Sequence, residues 1–202
     1  MKSIFDFIVK PLGEKYNNTV KIGNQELVVN TKIESFKFVN RFAEVVETPI
    51  AFYTDIKKGD IIIIHQNVFR TFYDMKGAKK VSRSFFQDDL FFVSIDQVYM
   101  YKNNERWNTF NNRCFIQPIQ NNDDLTINKE RALVGILKYG NSSLKSLEIM
   151  PGDVVGFVPT REWEFLIDGE RLYCMESNDI VIKYDKQGDE IKYNPKIGRA
   201  HV

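Results

Sequence analysis

The sequence reads Ile56-Lys57-Lys58-Gly59-Asp60-Ile61-Ile62-Ile63-Ile64 and later Ile149-Met150-Pro151-Gly152-Asp153-Val154-Val155-Gly156-Phe157. In both stretches an apolar residue, two spacers and Gly-Asp lead into a run of apolar residues of the buried-strand type. Glycine permits a tight turn, and an aspartate side chain can hydrogen-bond the backbone as the strand begins. The pattern predicts one local structure used twice, and therefore an internally duplicated fold.

The flanking segments extend the duplication in the same order. An alternating strand precedes each Gly-Asp turn, and a strand, a polar turn and a second strand follow it. Each half also opens on a similar apolar segment that contains a proline. The matched pairs are 7–12 with 114–119, 41–46 with 132–137, and 90–101 with 172–183.

Strand signals dominate a chain of 202 residues, which can hold two small domains. We predict an all-β protein of two tandem, small, partly open β-barrels. The predicted boundaries are a first barrel over 1–102, a linker over 103–113 and a second barrel over 114–196.

Composition narrows the class of protein. The net charge of +1 gives no general attraction to nucleic acid or membranes, and no apolar run is long enough to cross a bilayer. The N-terminal segment is broken by Asp6, Lys10 and Pro11, which argues against a signal peptide. Cys114 and Cys174 fit buried thiols in a reducing compartment, although a disulfide between them is not excluded. We predict a cytoplasmic protein.

Catalytic patterns are scarce. His65 follows an apolar strand with no nucleophile pattern beside it, which is typical of a structural histidine. The acidic pairs Asp88-Asp89 and Asp123-Asp124 fit solvated turns, since adjacent strand residues point to opposite faces. Metal-binding and phosphate-binding patterns are not found in the sequence. We expect no enzymatic activity, no metal site and no cofactor.

The last six residues, Ile197-Gly198-Arg199-Ala200-His201-Val202, match one reading frame of a widely used sequencing adapter. We therefore expect residues 197–202 to be an adapter-derived artefact, with the true C-terminus lost. An ordinary polar tail is the alternative. In either case His201 carries no functional argument.

The second half resembles the GroES-type co-chaperonins, the small proteins that cap a chaperonin. The resemblance lies in 149–157, in Glu176-Ser177-Asn178-Asp179-Ile180 after a strand, and in Val134-Gly135-Ile136-Leu137 before a glycine turn. The first half resembles the family more loosely, from about Phe5 to Lys102. The resemblance implies a partly open β-barrel, a homo-oligomeric ring, and a chaperonin ring and its unfolded substrate proteins as partners. It also implies that ATP is used by the chaperonin and not by this chain.

Family members dock on the chaperonin through a long loop with an apolar tripeptide. The matching segment is Tyr16 to Lys32, with Leu27, Val28 and Val29 as the candidate chaperonin-binding residues. The alternative is that these three residues form an ordinary strand. The second half has only Gln120 to Arg131 at this position, where Leu125-Thr126-Ile127 is a poor tripeptide, so the second copy is expected to have lost direct docking.

The first half also has an insertion within Asn67 to Gln87 that the second half lacks. It combines aromatic residues with five cations, which resembles a platform for single-stranded nucleic acid. Overall neutrality favours instead a solvated hairpin whose aromatic residues pack on the barrel, so nucleic acid is not expected as a partner. The candidate polyanion-binding residues are Arg70, Lys76, Lys79, Lys80 and Arg83.

Three functions remain open at this point. The first is a tandem co-chaperonin that caps an ATP-dependent chaperonin and assists folding. The second is a structural or assembly protein, for instance a virion component, that is built from the same barrels. The third is a nucleic-acid-binding barrel, which rests on the basic insertion alone. Fold resemblance does not decide among them.

Overall fold

The computed structural model describes residues 2–16, 19–22, 25–28, 39–121 and 129–194. The chain is all-β, as the sequence predicts, and it divides into two compact units, Met1–Asn108 and Thr109–Val202. Residues 197–202 lie outside the described residues, so the adapter hypothesis stays a prediction. In the part of the chain that is described, no helix is both long enough and apolar enough to span a membrane.

The first unit is built on an antiparallel sheet. Its strands are β1 (Phe7–Pro11), β2 (Thr19–Ile22), β3 (Gln25–Val28), β4 (Phe42–Glu47), β5 (Ile61–Ile64), β6 (Thr71–Tyr73), β7 (Lys79–Val81), β8 (Phe85–Gln87), β9 (Leu90–Val93), β10 (Val98–Asn103) and β11 (Arg106–Thr109). Over the described residues the main sheet has the order β11-β10-β5-β4-β1-β9-β8, while β2-β3 and β6-β7 form separate hairpins.

The second unit contains β12 (Arg113–Gln120), β13 (Glu130–Tyr139), the short helix α1 (Ser142–Ser146), β14 (Val154–Phe157), β15 (Trp163–Ile167), β16 (Glu170–Glu176) and β17 (Ile180–Tyr184). Over the described residues its sheet has the order β15-β16-β12-β13-β14-β17. Both main sheets end in open edges, and neither closes on itself within the described strands.

The two main sheets share one topology. In the first unit the order β10-β5-β4-β1-β9-β8 corresponds strand for strand to β17-β14-β13-β12-β16-β15 in the second. The strand β11 is an addition at one edge of the first sheet. The matched segments of the sequence therefore form strands in equivalent positions of the two sheets, as a duplicated fold requires.

The Gly-Asp turns form the same hydrogen bonds in both units. Gly59 and Gly152 have φ of +89° and +96°, a region that favours glycine. Their amides donate to Val45 and Leu137, on the neighbouring strand, at 2.8 and 2.7 Å. The aspartate carboxylates accept the Lys57 and Met150 amides, each at 2.8 Å. These bonds explain why Gly-Asp precedes each strand.

Asp153 provides a pH-dependent contribution to stability. The Met150 amide and the Lys183 ammonium, 2.9 Å away, hold the pKa of this carboxyl below its ordinary value. A carboxyl whose pKa is lower in the folded chain stabilises the fold above its unfolded-state pKa, and this contribution is lost as the pH falls through the lowered value.

We therefore expect Asp153→Asn to destabilise the second unit at neutral pH and to have a smaller effect well below pH 3.8, the ordinary value for aspartate. Urea unfolding of both proteins across this range measures the difference. If the difference in the free energy of unfolding between the two proteins does not decrease at low pH, the result contradicts this role of Asp153.

The two cysteines occupy opposite faces of the second sheet. Cys114 pairs with Met175 and packs in a core cluster with Ile116 and Leu137, whereas Cys174 lies opposite Phe115, one position along the strand. Because successive strand residues point to opposite faces, the two sulfur atoms face away from each other. Neither cysteine is part of a disulfide, both are buried, and burial raises the pKa of Cys114 to about 12. They are packing residues.

The predicted linker, 103–113, contains regular structure. Asn104 and Glu105 both have positive φ and form the turn of a hairpin between β10 and β11. Trp107 on β11 lies against Phe42, with ring centroids 6.1 Å apart. Of the asparagines that resemble a linker in the sequence, Asn104, Asn111 and Asn112 are turn residues, and the first two have the left-handed conformation that asparagine tolerates. The other two, Asn103 and Asn108, lie in β10 and β11. The division between the two units falls after Asn108.

Candidate docking elements

The candidate docking tripeptide falls at the end of a hairpin in the first unit. The backbones of Leu27 and Val28 lie in β3, paired with Val20 and Thr19 of β2. Val29 lies outside the described residues. As far as Val28, this placement agrees with the alternative interpretation that the tripeptide is part of a strand. A strand at the edge of a hairpin can nevertheless present apolar side chains to a partner.

The same interval differs in length between the two units. Residues 12–41 connect β1 to β4 in the first unit, whereas only residues 121–129 connect β12 to β13 in the second. Leu125, Thr126 and Ile127, the poor tripeptide of the second copy, lie outside the described residues. Only the first copy therefore has a connecting segment long enough for a docking hairpin.

Tyr16 fixes the base of this interval. Its backbone pairs with Val39, which brings the two ends of the intervening segment together. The Tyr16 hydroxyl accepts the Thr71 amide at 2.7 Å and lies 2.9 Å from the Thr71 hydroxyl. The base of the docking segment is therefore bonded to the start of the basic insertion. No sequence pattern indicated this link, because a single tyrosine has no periodic signal.

The insertion forms the β6-β7 hairpin followed by β8. Asp74 closes the hairpin turn, since its Oδ1 accepts the Lys76 and Ala78 amides at 2.9 Å. At the open end, the Ser82 hydroxyl donates to the Val68 carbonyl. The insertion is thus an ordered hairpin over its described residues.

The aromatic residues of the insertion mostly pack on the first unit. Phe69 is buried, with its ring edge-on to Phe91 at 4.9 Å. Phe85 packs on Phe91 and Phe86 on Phe92, with ring centroids 5.6 and 4.8 Å apart. These contacts favour the interpretation of a hairpin packed on the sheet, although Phe85 and Phe86 remain 36% and 40% exposed.

The candidate cations are spread along the hairpin. Arg70 precedes β6, Lys76 lies in the turn and Arg83 follows β7. Lys80 on β7 pairs with Asp74 at 3.7 Å. The backbone of Lys79 also lies on β7. Within the described residues, Lys76 and Arg83 form no ion pair.

Arg70 is the one cation of this group with a buried polar atom that lacks a partner. Its side chain is only partly exposed, and its Nε is buried without a hydrogen-bond acceptor among the described residues. A buried donor on a charged group is costly to leave unbonded. Because no solvent reaches this atom, it is an unsatisfied donor inside the first unit and not a contact point for an external ligand.

His65 and the pair Asp88-Asp89 have structural contacts, whereas the pair Asp123-Asp124 lies outside the described residues. The Nδ1 atom of His65 accepts the Asn67 amide at 3.1 Å, and its ring stacks on Tyr99. Asp89 pairs with Lys15 at 2.6 Å, and Asp88 has the positive φ of a turn residue. Among the described residues no cluster of three metal-ligating side chains is found.

The second unit contains a polar cleft that the sequence did not indicate. It has a volume of about 550 Å³, and Glu130, Leu133 and Tyr173 are among its lining residues. Arg171 donates to Glu130, to Glu164 and to the Tyr173 hydroxyl, so each of its three nitrogen atoms is already bonded. Burial raises the pKa of Tyr173, and Arg171 opposes this effect. The network joins β13, β15 and β16. Of the two cations that line the cleft, Arg131 pairs with Asp189 at 3.5 Å, and Lys129 forms no ion pair within the described residues.

No family model matches this chain, and no curated protein matches it.

Proposed function

We propose that the chain is a tandem co-chaperonin that caps an ATP-dependent chaperonin and assists protein folding. The observation that carries the proposal is the contrast between the two copies of the duplicated sheet. One copy has a long interval with the β2-β3 hairpin, which contains Leu27 and Val28, and the other has a short interval. One docking hairpin per chain fits a ring in which the second unit supports the first.

The chemistry of docking follows from the residue types. An apolar tip buries itself in a groove of the chaperonin, and the backbone of β3 can pair with an exposed strand or pack against helices there. The chain itself supplies no catalytic group in this scheme. ATP binding and hydrolysis belong to the chaperonin, and the chain changes the fate of the enclosed unfolded protein.

Assisted refolding tests this proposal. A denatured protein that a chaperonin refolds only with a cap is mixed with chaperonin and ATP, with and without this chain. We expect the refolding yield to rise when the chain is present and to stay low without ATP. A yield that the chain does not change would contradict the proposed function.

A second candidate is an assembly protein built from the same units, with a cytoplasmic location in either case. The edge strand β17 favours it, because Val181 and Ile182 are 57% and 46% exposed there. Exposed apolar edges promote pairing between chains. Sedimentation velocity separates the two: large assemblies of the chain alone, together with no binding to a chaperonin, support this second function. If the chain is a co-chaperonin, we expect it to form a homo-oligomeric ring by itself, without any other protein.

A further inference from the structure

Two elements distinguish the first unit from the second. One is the connection between β1 and β4, residues 12–41, which contains the β2-β3 hairpin, and the other is the insertion, which contains the β6-β7 hairpin. In the second unit residues 121–129 connect β12 to β13, and residues 158–162 lead directly from β14 to β15. The proposed function uses the first of these elements and gives no role to the second.

The two elements are hydrogen-bonded to each other. The Tyr16 hydroxyl, at the start of the docking segment, accepts the Thr71 amide at 2.7 Å. The same hydroxyl lies 2.9 Å from the Thr71 hydroxyl and 3.3 Å from the Thr71 carbonyl oxygen. Thr71 is buried and begins β6, so one side chain of the docking segment reaches all three polar groups of a buried residue of the insertion.

A second link comes from the residue before Tyr16. Lys15 pairs with Asp89 at 2.6 Å, in the turn between β8 and β9, and its ammonium lies 5.1 Å from the centre of the Phe91 ring. The Asp89 side chain is 72% exposed, and an ion pair of that kind contributes little. The buried contact between Tyr16 and Thr71 is therefore the stronger of the two links.

Asn40 closes the base of the docking segment. Its side-chain amide donates to the Leu12 and Glu14 carbonyls at 2.8 and 2.9 Å, and its Oδ1 accepts the Phe42 amide at 2.9 Å. Asn40 is buried, and these bonds join the two ends of the connection between β1 and β4. Because the base is closed, a contact at Tyr16 bears on the direction of the whole segment.

We propose that the insertion fixes the orientation of the docking segment through the bonds between Tyr16 and Thr71, so that the two elements found only in the first copy act together in docking. The inference rests on the proposed function, in which the docking segment binds a chaperonin. A segment that is oriented before contact loses less conformational entropy when it binds. Tyr16 and Thr71 are positioning residues in this scheme.

Docking kinetics of the full chain on an immobilised chaperonin with ATP test this role. Tyr16→Phe removes the hydroxyl and keeps the ring, so fewer chains have the segment oriented for binding at any moment, while the contacts in the complex are unchanged. We expect association to be about tenfold slower and the dissociation rate to change by less than about twofold. Loss of a direct contact with the chaperonin would instead raise the dissociation rate.

The matched control is Tyr53→Phe, which makes the same substitution in the same unit. The Tyr53 side chain is 91% exposed, and its hydroxyl lies 3.4 Å from a carboxylate oxygen of Asp55. Both rate constants of this control are expected to match those of the unchanged chain.

Hydrogen exchange provides a readout that needs no chaperonin. Tyr16→Phe leaves the Thr71 amide without its acceptor, so we expect the amides of β2 and β3 to exchange about tenfold faster than in the unchanged chain. Amides of the second unit serve as the internal reference and should exchange at the same rate in both proteins. Thr71→Ser keeps the amide and a hydroxyl at this position and should exchange like the unchanged chain.

Three results are decisive. Equal exchange of β2 and β3 in Tyr16→Phe and the unchanged chain would overturn the proposal, because the hydroxyl would then not hold the segment. Faster dissociation at an unchanged association rate would also overturn it, since Tyr16 would then act as a docking contact. If the unchanged chain binds no chaperonin, the proposed function fails and the docking role fails with it, whereas hydrogen exchange still decides whether the insertion holds the segment.

Discussion

Gly135→Ala is expected to destabilise the second unit by about 3 kcal/mol, at the upper end of the cost of overpacking a core. A Cβ atom at this position would lie 2.3 Å from Cγ2 of Ile116 and 2.8 Å from the Gln117 carbonyl oxygen. The first contact involves a buried β-branched side chain and the second involves backbone. Neither atom can move without disturbing the β12-β13 pairing, in which Gly135 lies opposite Pro118.

Urea unfolding measures this effect in a Trp107→Phe background, in which Trp163 is the remaining tryptophan and reports on the second unit. Gly140→Ala is the matched control. Its added Cβ would meet Leu137 Cδ2 at 3.2 Å, the end of a flexible side chain, so we expect a much smaller loss. Equal losses in the two variants would contradict the close approach of β12 and β13 at Gly135.

Replacement of Leu27, Val28 and Val29 together by Asp is expected to abolish docking on the chaperonin. Each apolar side chain that is no longer buried in the groove removes about 1.5 kcal/mol of binding free energy, so the loss of three removes about 4.5 kcal/mol. That loss corresponds to about a 1000-fold weaker complex. Sedimentation with chaperonin and ATP should therefore leave the variant in the supernatant.

The matched control replaces Ile50, Leu147 and Ile191 by Asp. These three residues are apolar and exposed, and they lie outside the proposed docking segment. The control is expected to sediment with the chaperonin like the unchanged chain. If the control loses binding as well, the effect comes from added negative charge, and the tripeptide has no special role.

The duplicated fold was predictable because it depends on local chemistry. A Gly-Asp turn requires a residue that tolerates positive φ and a side chain that caps the following strand, and both requirements are visible in the sequence at Gly59-Asp60 and Gly152-Asp153. The polar turn before the last strand is equally local. Gln97 and Asp179 each close it by accepting a backbone amide, from Ser94 and Glu176.

The features that the sequence does not reveal either join residues far apart in the chain or share their composition with another kind of segment. The bonds between Tyr16 and Thr71 join segments 55 residues apart, and neither residue type has a pattern that reveals a distant partner. The strand β11 lies within the predicted linker, 103–113, because its turn is asparagine-rich and turns and linkers share that composition. The docking tripeptide stays a prediction, since its last residue lies outside the described chain.

The central claim is that this chain caps a chaperonin in an ATP-dependent manner. The most direct measurement is sedimentation of the unchanged chain with a chaperonin, with ATP and without nucleotide. We expect the chain to enter the chaperonin fraction with ATP and to stay out of it without nucleotide. A chain that never sediments with a cognate chaperonin, or that does so regardless of ATP, would contradict it.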